Sequence, residues 1–389
     1  MASMRFLHTA DWHVGKPLRG RSRMEEYAAV LEEVGRVAVE AQVDAVLVAG
    51  DIFDSPSPPA EAEKLVYDFL ARLLPEGIAA VLIAGNHDHP KKLGALASLL
   101  EELRIHVRSE VRPPAQGGVV SVPSRDGAAG ARVAVLPFVP ERKVVDACTV
   151  MDPEHTWFET YSERLEQILA TLVAGLDAST VNLAMGHLFA TGSLFGTGER
   201  RLHLGETYGL DPRQLPGSLQ YIALGHLHRP QEVMAPSKTL YSGSLLELDF
   251  GEKEQEKRVV IVEASPGKTA SVESVPLSVG RRLRDVSGSL EELRGMAGDL
   301  GDAFLRVRLK TVVPVPGLAE QVKELLPNAL DVSVDHPRDA AEIQREQEDP
   351  RTRLEPGELF EKYYERKNGA PPSPELQKLF RALYEEAQP

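Results

Sequence analysis

Five short blocks of aspartate, asparagine and histidine are the chemically informative part of this 389-residue chain. Their side chains offer carboxylate oxygen, amide oxygen and imidazole nitrogen, which are ligands for manganese, magnesium, iron or zinc, and no thiolate is among them. Together they supply one complete ligand set for two adjacent divalent ions. The blocks are Asp11-Trp12-His13, Gly50-Asp51-Ile52-Phe53-Asp54, Gly85-Asn86-His87-Asp88, Gly186-His187 and Gly225-His226-Leu227-His228.

The charge balance of such a centre indicates an anionic substrate. Two divalent ions bring four positive charges, whereas Asp11 and Asp51 return two negative charges and the amide and imidazole ligands are neutral. The site stays net positive and is expected to attract a phosphate ester. Two ions roughly 3.5–4 Å apart would lower the pKa of a bridging water and clamp the attacking and leaving oxygens of an in-line displacement.

Each block directly follows a short apolar run, which predicts that each ligand emerges where a buried strand ends. The runs are residues 6–7, 45–49, 81–83, 181–185 and 221–224. Because open α/β folds place their sites at the carboxyl ends of strands, five strand ends can bring the blocks to one edge. Helices are predicted over residues 24–38 behind a Ser22–Glu25 capping box, over 60–74 and over 155–174.

The order and separations of the five blocks resemble those of the calcineurin-like metallophosphoesterase superfamily. Residues 5–15, 49–60 and 84–88 are closely similar to the bacterial SbcD family of nuclease subunits, and the resemblance covers essentially the whole chain. It implies an α/β fold, a four-layer α/β/β/α sandwich. It also implies a deoxyribonuclease, a 3′ to 5′ exonuclease on double strands and an endonuclease on single strands and hairpins. The family implies an SbcC-type ABC ATPase as partner, in DNA repair, recombination and replication.

The same resemblance implies a role for each residue of the blocks. The resemblance implies two divalent ions, manganese in the first place, with magnesium, iron or zinc as alternatives. Each ion would have three ligands of its own, and the two ions would share one aspartate. The first set is Asp11, His13 and His228, the second is Asn86, His187 and His226, and the shared ligand is Asp51. His87 would bind no metal but would stabilise charge on the scissile phosphate or protonate the leaving oxygen.

Two further aspartates are expected to orient ligands from behind. Asp54 stands where archaeal and eukaryotic relatives have a second histidine, and a carboxylate cannot donate as an imidazolium does. Asp88 ends the third block and is assigned the same supporting role. His8 is expected to pack behind the site rather than to bind metal.

The pattern divides the chain into three parts: a nuclease domain at 1–275, a small α/β capping domain at 276–340, and a linker with two C-terminal helices at 341–389. In the cap, Ser289 and Glu292 predict a capped helix. The C-terminal helices form a helical pair with an aromatic stripe that suits a groove on the ATPase partner. The stripe consists of Leu359, Phe360, Tyr363, Tyr364, Leu376, Leu379, Phe380 and Leu383.

The net charge of −14 argues against a protein that holds DNA by a broad basic surface. Either the substrate is small or a partner grips the DNA, and the family implies the second, with a homodimer within a heterotetramer. The candidate DNA contacts are Lys16, Arg19, Arg21 and Arg23 after the first block, and Arg306, Arg308 and Lys310 on one face of a strand.

A single cysteine, Cys148, and the lack of any long apolar run predict a cytoplasmic protein without a membrane span.

Three alternatives stay open at this point. A phosphoprotein phosphatase would use the same metal site, but phosphatases have an arginine directly after the second block, where this chain has Ser55. An enzyme acting on small phosphodiesters would leave the cap and the tail without a purpose. A non-catalytic scaffold would have no need of the intact ligand set.

Overall fold

A computed structural model describes residues 3–140, 143–144, 147–148, 151, 160–194, 209–311, 317–335, 356–368, 371–374, 376–377 and 379–380. The chain divides into two units, one of Met1–Arg308 with Ala319–Val332 and the other of Leu309–Leu318 with Ser333–Pro389. The three-part division at 275 and 340 stays a prediction.

Within the described residues the strands are as follows. They are β1 Met4–Thr9, β2 Ala45–Val48, β3 Ala79–Ile83, β4 Ile105–Arg108, β5 Val119–Pro123, β6 Gly130–Leu136, β7 Val181–His187, β8 Tyr221–Gly225, β9 Gln231–Val233, β10 Thr239–Tyr241, β11 Arg258–Ser265, β12 Lys268–Pro276, β13 Leu283–Gly288, β14 Phe304–Lys310 and β15 Ala329–Asp335.

The helices connect these strands. They are α1 Met24–Glu40, α2 Ala60–Leu73, α3 Pro90–Leu93, α4 Ala97–Glu101, α5 Tyr161–Val173, α6 Leu290–Met296, α7 Leu318–Leu325 and α8 Pro356–Asn368. None of the helices in the described part of the chain is both long and apolar enough to cross a bilayer.

Two six-stranded sheets form the body of the first unit. Their strand orders are β12-β11-β1-β2-β3-β4 and β5-β6-β7-β8-β10-β9. In the first sheet β1, β2, β3 and β4 are parallel, and in the second β6, β7, β8 and β10 are parallel. Because neighbouring parallel strands end at the same edge, the polar blocks after β1, β2 and β3 lie side by side, as do those after β7 and β8.

Three apolar clusters separate four layers. One joins α1 and α2 to the first sheet, with Trp12 and Phe69 in contact. The second fills the space between the sheets, where Phe6 and Leu47 lie with Met185. The third lies on the outer face of the second sheet beneath α5. The predicted α/β/β/α sandwich is confirmed, and strands β2 and β3 read as unbroken apolar runs because both of their faces are buried.

The predicted capping box at the start of α1 is wrong. The N-cap is Arg23, without a side-chain capping bond, and the hydroxyl of Ser22 accepts from the amide of Met24, at 3.4 Å. The Arg23 guanidinium is tied to Glu26 at 2.6 Å and to the carbonyl of Glu247 at 2.6 Å. The local bond to Glu26 and the tertiary bond to Glu247 hold the N-cap residue in place of a side-chain capping bond, and the helix begins at Met24 as predicted.

A third sheet, in the order β13-β14-β15, contains the predicted basic strand. Along β14, Leu305, Val307 and Leu309 are buried, whereas Arg308 and Lys310 are exposed. The alternation is therefore confirmed. The Ser289–Glu292 capping box is confirmed as well, with both of its reciprocal hydrogen bonds present at the start of α6.

The tail helices of the second unit meet through aromatic rings. Phe360 on α8 stacks on Phe380 with ring centroids 4.2 Å apart and lies 5.9 Å from Tyr364. Leu359, Tyr363 and Leu379 are exposed by 43%, 63% and 55%, and Leu376 is half-buried. Leu383 and the predicted linker lie outside the described residues.

His8 is a polar clasp between the two sheets, close to the edge where the blocks gather. Its Nε2 lies 3.1 Å from the carbonyl oxygen of Leu224, which can only accept, so Nε2 carries the proton. Its Nδ1 therefore accepts from the hydroxyl of Tyr221 at 2.8 Å. Burial lowers the pKa of His8 to about 3, so the ring stays neutral. Both nitrogens face the second sheet, as expected for a residue that packs behind the site.

Removal of the Tyr221 hydroxyl is a direct test of this clasp. Tyr221→Phe leaves Nδ1 of His8 buried without a donor, so we expect the free energy of unfolding in urea to fall by about 1–3 kcal/mol. Tyr27→Phe is the matched control, because the equally buried Tyr27 hydroxyl has no hydrogen-bond partner among the described residues. Equal effects of the two substitutions would contradict the clasp.

Candidate metal centre

The structure brings all seven predicted metal ligands together. Oδ2 of Asp51 lies 3.5 Å from Nε2 of His13 and 3.5 Å from Nε2 of His187. The ligand atoms of Asp11, Asp51 and His187 lie within 4.8 Å of one another, as do those of His13, Asp51 and His87. Asp51 is thus common to both groups.

The remaining predicted ligands close the cluster. Oδ1 of Asn86 lies 3.0 Å from Nε2 of His187 and 2.9 Å from Nδ1 of His226. Nε2 of His228 lies 3.1 Å from Nε2 of His13. Oxygen and nitrogen lone pairs from both sheets therefore point into one small volume.

The backbone at these positions adopts conformations that side chains rarely take. Asp11, His13 and Asp51 have φ of 50°, 48° and 49°. Strain of this kind is of the order of 1 kcal/mol or more per residue and persists only where surrounding contacts hold it. Here the amide of Asp11 donates to the carbonyl of Gly50 at 3.0 Å, and that of His13 to the carbonyl of Asp51 at 2.9 Å.

Glycines make room for the ligand side chains. A Cβ on Gly50, whose φ is 92°, would collide with the ring of His187, and a Cβ on Gly85 would collide with the carboxylate of Asp51. Glycine at position 50 is therefore required both by space and by the left-handed backbone, whereas glycine at position 85 is required by space.

Hydrogen bonds at the outer nitrogens fix which ring atom faces the cluster. Nδ1 of His187 lies 2.8 Å from the carbonyl oxygen of Ala49, and Nδ1 of His228 lies 2.7 Å from Oε1 of Glu252. Since a carbonyl or carboxylate oxygen accepts, Nδ1 carries the proton and Nε2 offers a lone pair in the neutral ring. Both Nε2 atoms face the cluster.

This arrangement fits a pair of divalent cations. Nε2 of His13 lies 3.1 Å from Nε2 of His228, and the latter atom carries a lone pair and no proton in the neutral ring. Nδ1 of His13 is buried without a hydrogen-bond partner among the described residues, with Oδ1 of Asp54 at 3.5 Å. The amide oxygen of Asn86, which is half-buried, and the imidazole nitrogens match the oxygen and nitrogen ligands that manganese, magnesium, iron or zinc accept.

Burial and mutual charge set the protonation of the cluster. Burial raises the pKa of Asp11 to about 7 and lowers the pKa of His13 to about 4. Burial alone would also lower the pKa of His187, but the carboxylates of Asp51 and Asp11 outweigh it and raise that pKa to about 9. The pKa of Asp51 is held well below its ordinary value, against burial, by His187 and His13. Asp51 is therefore the ionised centre of the cluster.

His87 stands beside this cluster, held from two sides. Its backbone amide donates to Oδ1 of Asp51 at 2.8 Å, and its Nδ1 donates to the carbonyl of Asp54 at 2.6 Å. Its ring meets that of His13 edge to face, with centroids 4.5 Å apart. Proton transfer at this ring is thereby left to Nε2.

The two supporting aspartates act in different ways. Asp54 lies near Nδ1 of His13 and accepts from Nζ of Lys16 at 3.0 Å. The carboxylate of Asp88 instead accepts from backbone amides, those of Ile52, Phe53 and Gly85, at 3.2, 3.0 and 2.8 Å. Asp88 thus fastens the second block to the third.

Two residues next to the site have no local sequence pattern that predicts their position there. Glu252 lies 24 residues beyond His228, in a charged segment whose sequence predicts side chains exposed to solvent. Phe138, just after β6, stacks on the ring of His226 with centroids 6.3 Å apart and 19° between planes. The only hint for Phe138 was its position at a strand end.

Most of the basic residues near the first block are engaged within the protein. The side chain of Arg23 is 1% exposed, so it has no surface to offer a phosphate. Arg19 lies 3.9 Å from Asp249 and 3.8 Å from Asp331, and Arg21 lies over the ring of Phe304 at 5.3 Å. Arg306 pairs with Asp285 at 2.7 Å. Lys16 pairs with Asp54 at 3.0 Å, and Arg308 and Lys310 are exposed.

Comparison with known proteins agrees with the geometry. Residues 4–230 match the calcineurin-like phosphoesterase family, and residues 279–368 match a domain described as the type 5 capsule protein repressor C-terminal domain. The SbcD subunit of the nuclease SbcCD from Bacillus subtilis (strain 168) is 34% identical over 392 residues, covering 98% of this chain and 97% of that protein. That of Rhodobacter capsulatus is 36% identical over 288 residues, covering 70% and 69%. That of Escherichia coli (strain K12) is 31% identical over 295 residues, covering 75% and 72%.

The first of these matches runs through almost the whole chain, and the metal-ligand cluster lies within the phosphoesterase segment. The chain belongs to the SbcD family of SbcCD nuclease subunits, metal-dependent hydrolases of the calcineurin-like phosphoesterase class.

Proposed function

We propose that this chain is the nuclease subunit of a DNA end-processing complex. It cleaves phosphodiester bonds with two divalent ions, manganese in the first place, as a 3′ to 5′ exonuclease on double strands and as an endonuclease on single strands and hairpins. It works with an SbcC-type ABC ATPase. The observation that carries the proposal is the position of Asp51, whose Oδ2 is equidistant from His13 and His187, one from each proposed ligand set.

In this proposal each ion has ligands from both sheets. One ion would be held by Asp11, His13 and His228 and the other by Asn86, His187 and His226, and Asp51 would be a ligand of both. When bound, the ions supply charge neutralisation of the phosphodiester and a lowered pKa for water at the site. The chain's own contribution is to hold these ligand atoms in a fixed geometry.

His87 is the proposed catalytic residue. Its Nδ1–H is committed to the carbonyl of Asp54, so Nε2 is the atom that would stabilise charge on the scissile phosphate or protonate the leaving oxygen. Its backbone amide is bound to Asp51, which places the ring beside the shared ligand.

DNA binding is proposed to need the partner as well as this chain. The net charge is −14 and Arg23 is buried, which leaves Lys16, Arg19, Arg21, Arg306, Arg308 and Lys310 as the proposed phosphate contacts. These few cationic side chains contribute only a weak electrostatic attraction to the affinity for DNA. An ATPase that binds the DNA would supply the remaining affinity.

A homodimer through the nuclease domain is part of the proposal. Three leucines next to α4 and within it are unusually exposed for large apolar residues: Leu96, Leu99 and Leu103, by 42%, 63% and 43%. Such a patch on the nuclease unit suits the same patch of a second copy, since twofold interfaces pair identical surfaces. Two chains and two ATPase subunits would then form the heterotetramer.

Replacing His87 separates chemistry from binding. His87→Ala is expected to retain two manganese ions per chain and to bind DNA, while cleavage of labelled linear and hairpin DNA falls by orders of magnitude. The assay compares manganese with magnesium, with and without an SbcC-type partner. His89→Ala is the matched control, because His89 is exposed two residues away and caps α3. Loss of an ion from His87→Ala would assign His87 to the metal site instead.

Replacing Asp51 tests the shared ligand. Asp51→Asn is expected to reduce manganese stoichiometry, measured by calorimetry, together with activity, because neither ion keeps its ligand set. Asp44→Asn is the control, since Asp44 stands at the other end of the same strand and accepts from the amides of Arg5 and Arg125. Two ions per chain and near-normal turnover in Asp51→Asn would overturn the assignment.

The tail is proposed to bind the ATPase through its exposed apolar side chains. Full burial of a large apolar side chain in an interface contributes about 1.5–3 kcal/mol to the free energy of binding. Tyr363→Asp and Leu379→Asp are therefore each expected to abolish co-purification with an SbcC-type partner. The unfolding temperature and manganese-dependent cleavage of small phosphodiester reporters should stay unchanged. Lys362→Asp, a charge reversal at an exposed position on the same helix, is the control for charge alone. Unfolding at a clearly lower temperature would mean that the tail belongs to the chain's own core.

A further inference from the structure

A buried carboxylate outside the five blocks supports one of the proposed metal ligands. Glu252, at the end of the turn Phe250–Glu252, is fully buried. Its Oε1 lies 2.7 Å from Nδ1 of His228, and its Oε2 accepts from Nζ of Lys257 at 2.7 Å and from the amide of Leu248 at 3.1 Å. One oxygen of this carboxylate therefore accepts from His228, and the other accepts from Lys257 and Leu248.

Lys257 completes the arrangement from the opposite side. Its Nζ, almost fully buried, donates to Glu252, to Oγ of Ser244 at 2.8 Å and to the carbonyl oxygen of His228 at 3.1 Å. A buried carboxylate is costly unless it is paired, and Lys257 provides the pairing charge. Lys257 and Glu252 thereby hold both the backbone and the ring of His228.

We infer that Glu252 is a positioning residue that fixes the tautomer of His228, with the proton on Nδ1 and the lone pair of Nε2 directed at the cation site. The inference rests on the proposed function, in which His228 binds one of the two ions. Groups that hold the outer nitrogen of a metal-binding histidine typically change metal affinity about 10–100-fold when they are removed.

The substitution Glu252→Gln tests this assignment by its chemistry rather than by its size. A carboxamide has one accepting oxygen and one donating NH₂ group. Three donors face the Oε2 position, namely Nζ of Lys257, the amide of Leu248 and the hydroxyl of Ser244 at 3.3 Å, so the amide oxygen is expected to take that side. The NH₂ group would then face Nδ1 of His228, which must accept, and the ring proton would move to Nε2, where it blocks the lone pair.

Glu252→Ala gives the contrasting case. It removes the carboxylate beside Nδ1 of His228 without imposing a tautomer, so part of the ring population keeps its lone pair on Nε2. It also leaves Lys257 buried without its carboxylate, which costs stability. Glutamine is therefore expected to lose more metal affinity but less stability than alanine, an order that a purely structural role for Glu252 would not produce.

The experiment is manganese titration of the full-length, metal-free chain by calorimetry, with thermal unfolding of the same samples. In Glu252→Gln one of two manganese ions should bind roughly 10–100-fold more weakly while the other keeps its affinity. Glu33→Gln is the matched control: Glu33 is also buried and accepts from the amides of Ser278 and Val279 and from the Ser278 hydroxyl, none of which belongs to the cluster. It should bind both ions normally.

The outcomes separate this inference from the proposed function. If His228→Ala loses an ion while Glu252→Gln binds both like the unaltered chain, the inference is overturned and the ligand assignment stands. If His228→Ala itself keeps both ions, the ligand assignment fails and the inference fails with it.

A second measurement does not depend on any Glu252 variant. Nitrogen-15 chemical shifts of the histidine rings in the metal-free chain, assigned to His228 by its loss in His228→Gln, report the tautomer directly. Protonated Nδ1 and unprotonated Nε2 are expected, and the opposite tautomer would overturn the inference.

Discussion

The buried carboxylate of Asp51 is the constraint on which the arrangement of the other residues depends. An ionised carboxylate away from water is costly unless charges and hydrogen-bond donors surround it. Here it stands between His13 and His187 and accepts the amide of His87. Space for it requires glycine at position 85, and its own backbone lies in the left-handed region. The edges of two sheets are brought together around this one group.

The histidines around Asp51 are held by their outer nitrogens, two of them by main-chain carbonyls and one by a side chain. His187 is anchored by a main-chain carbonyl, His228 by a carboxylate and His87 by the carbonyl of Asp54. A carbonyl belongs to a strand or turn that the fold already fixes, so the anchors of His187 and His87 follow from the backbone alone. The anchor of His228 needs a particular side chain, and this side chain needs Lys257 to be tolerated in the core.

The sequence alone was sufficient for the fold class and for the blocks because both depend on local patterns. Apolar runs such as residues 45–49 mark buried strands, and ligand residues directly after a run mark its end. The roles of Glu252 and Arg23 could not be predicted in this way. Glu252 stands in a run of charges that looks solvated, and Arg23 stands in a basic loop that looks suited to phosphate, yet both are buried. Their burial is decided by partners more than 20 residues away, Glu252 by His228 and Arg23 by Glu247, which no local period encodes.

The segment 244–252 joins the metal centre to the third sheet. Glu252 supports His228, whereas Glu247 accepts the amide of Leu283 at 2.6 Å, at the start of β13. Phe250, buried between them, lies 5.1 Å under the guanidinium of Arg306 on β14. Well-packed interiors transmit small displacements rather than absorb them, so the position of this sheet and the position of His228 are not independent. A substitution at Glu247 or Phe250 is therefore expected to alter manganese affinity, which titration calorimetry of the full-length chain would measure.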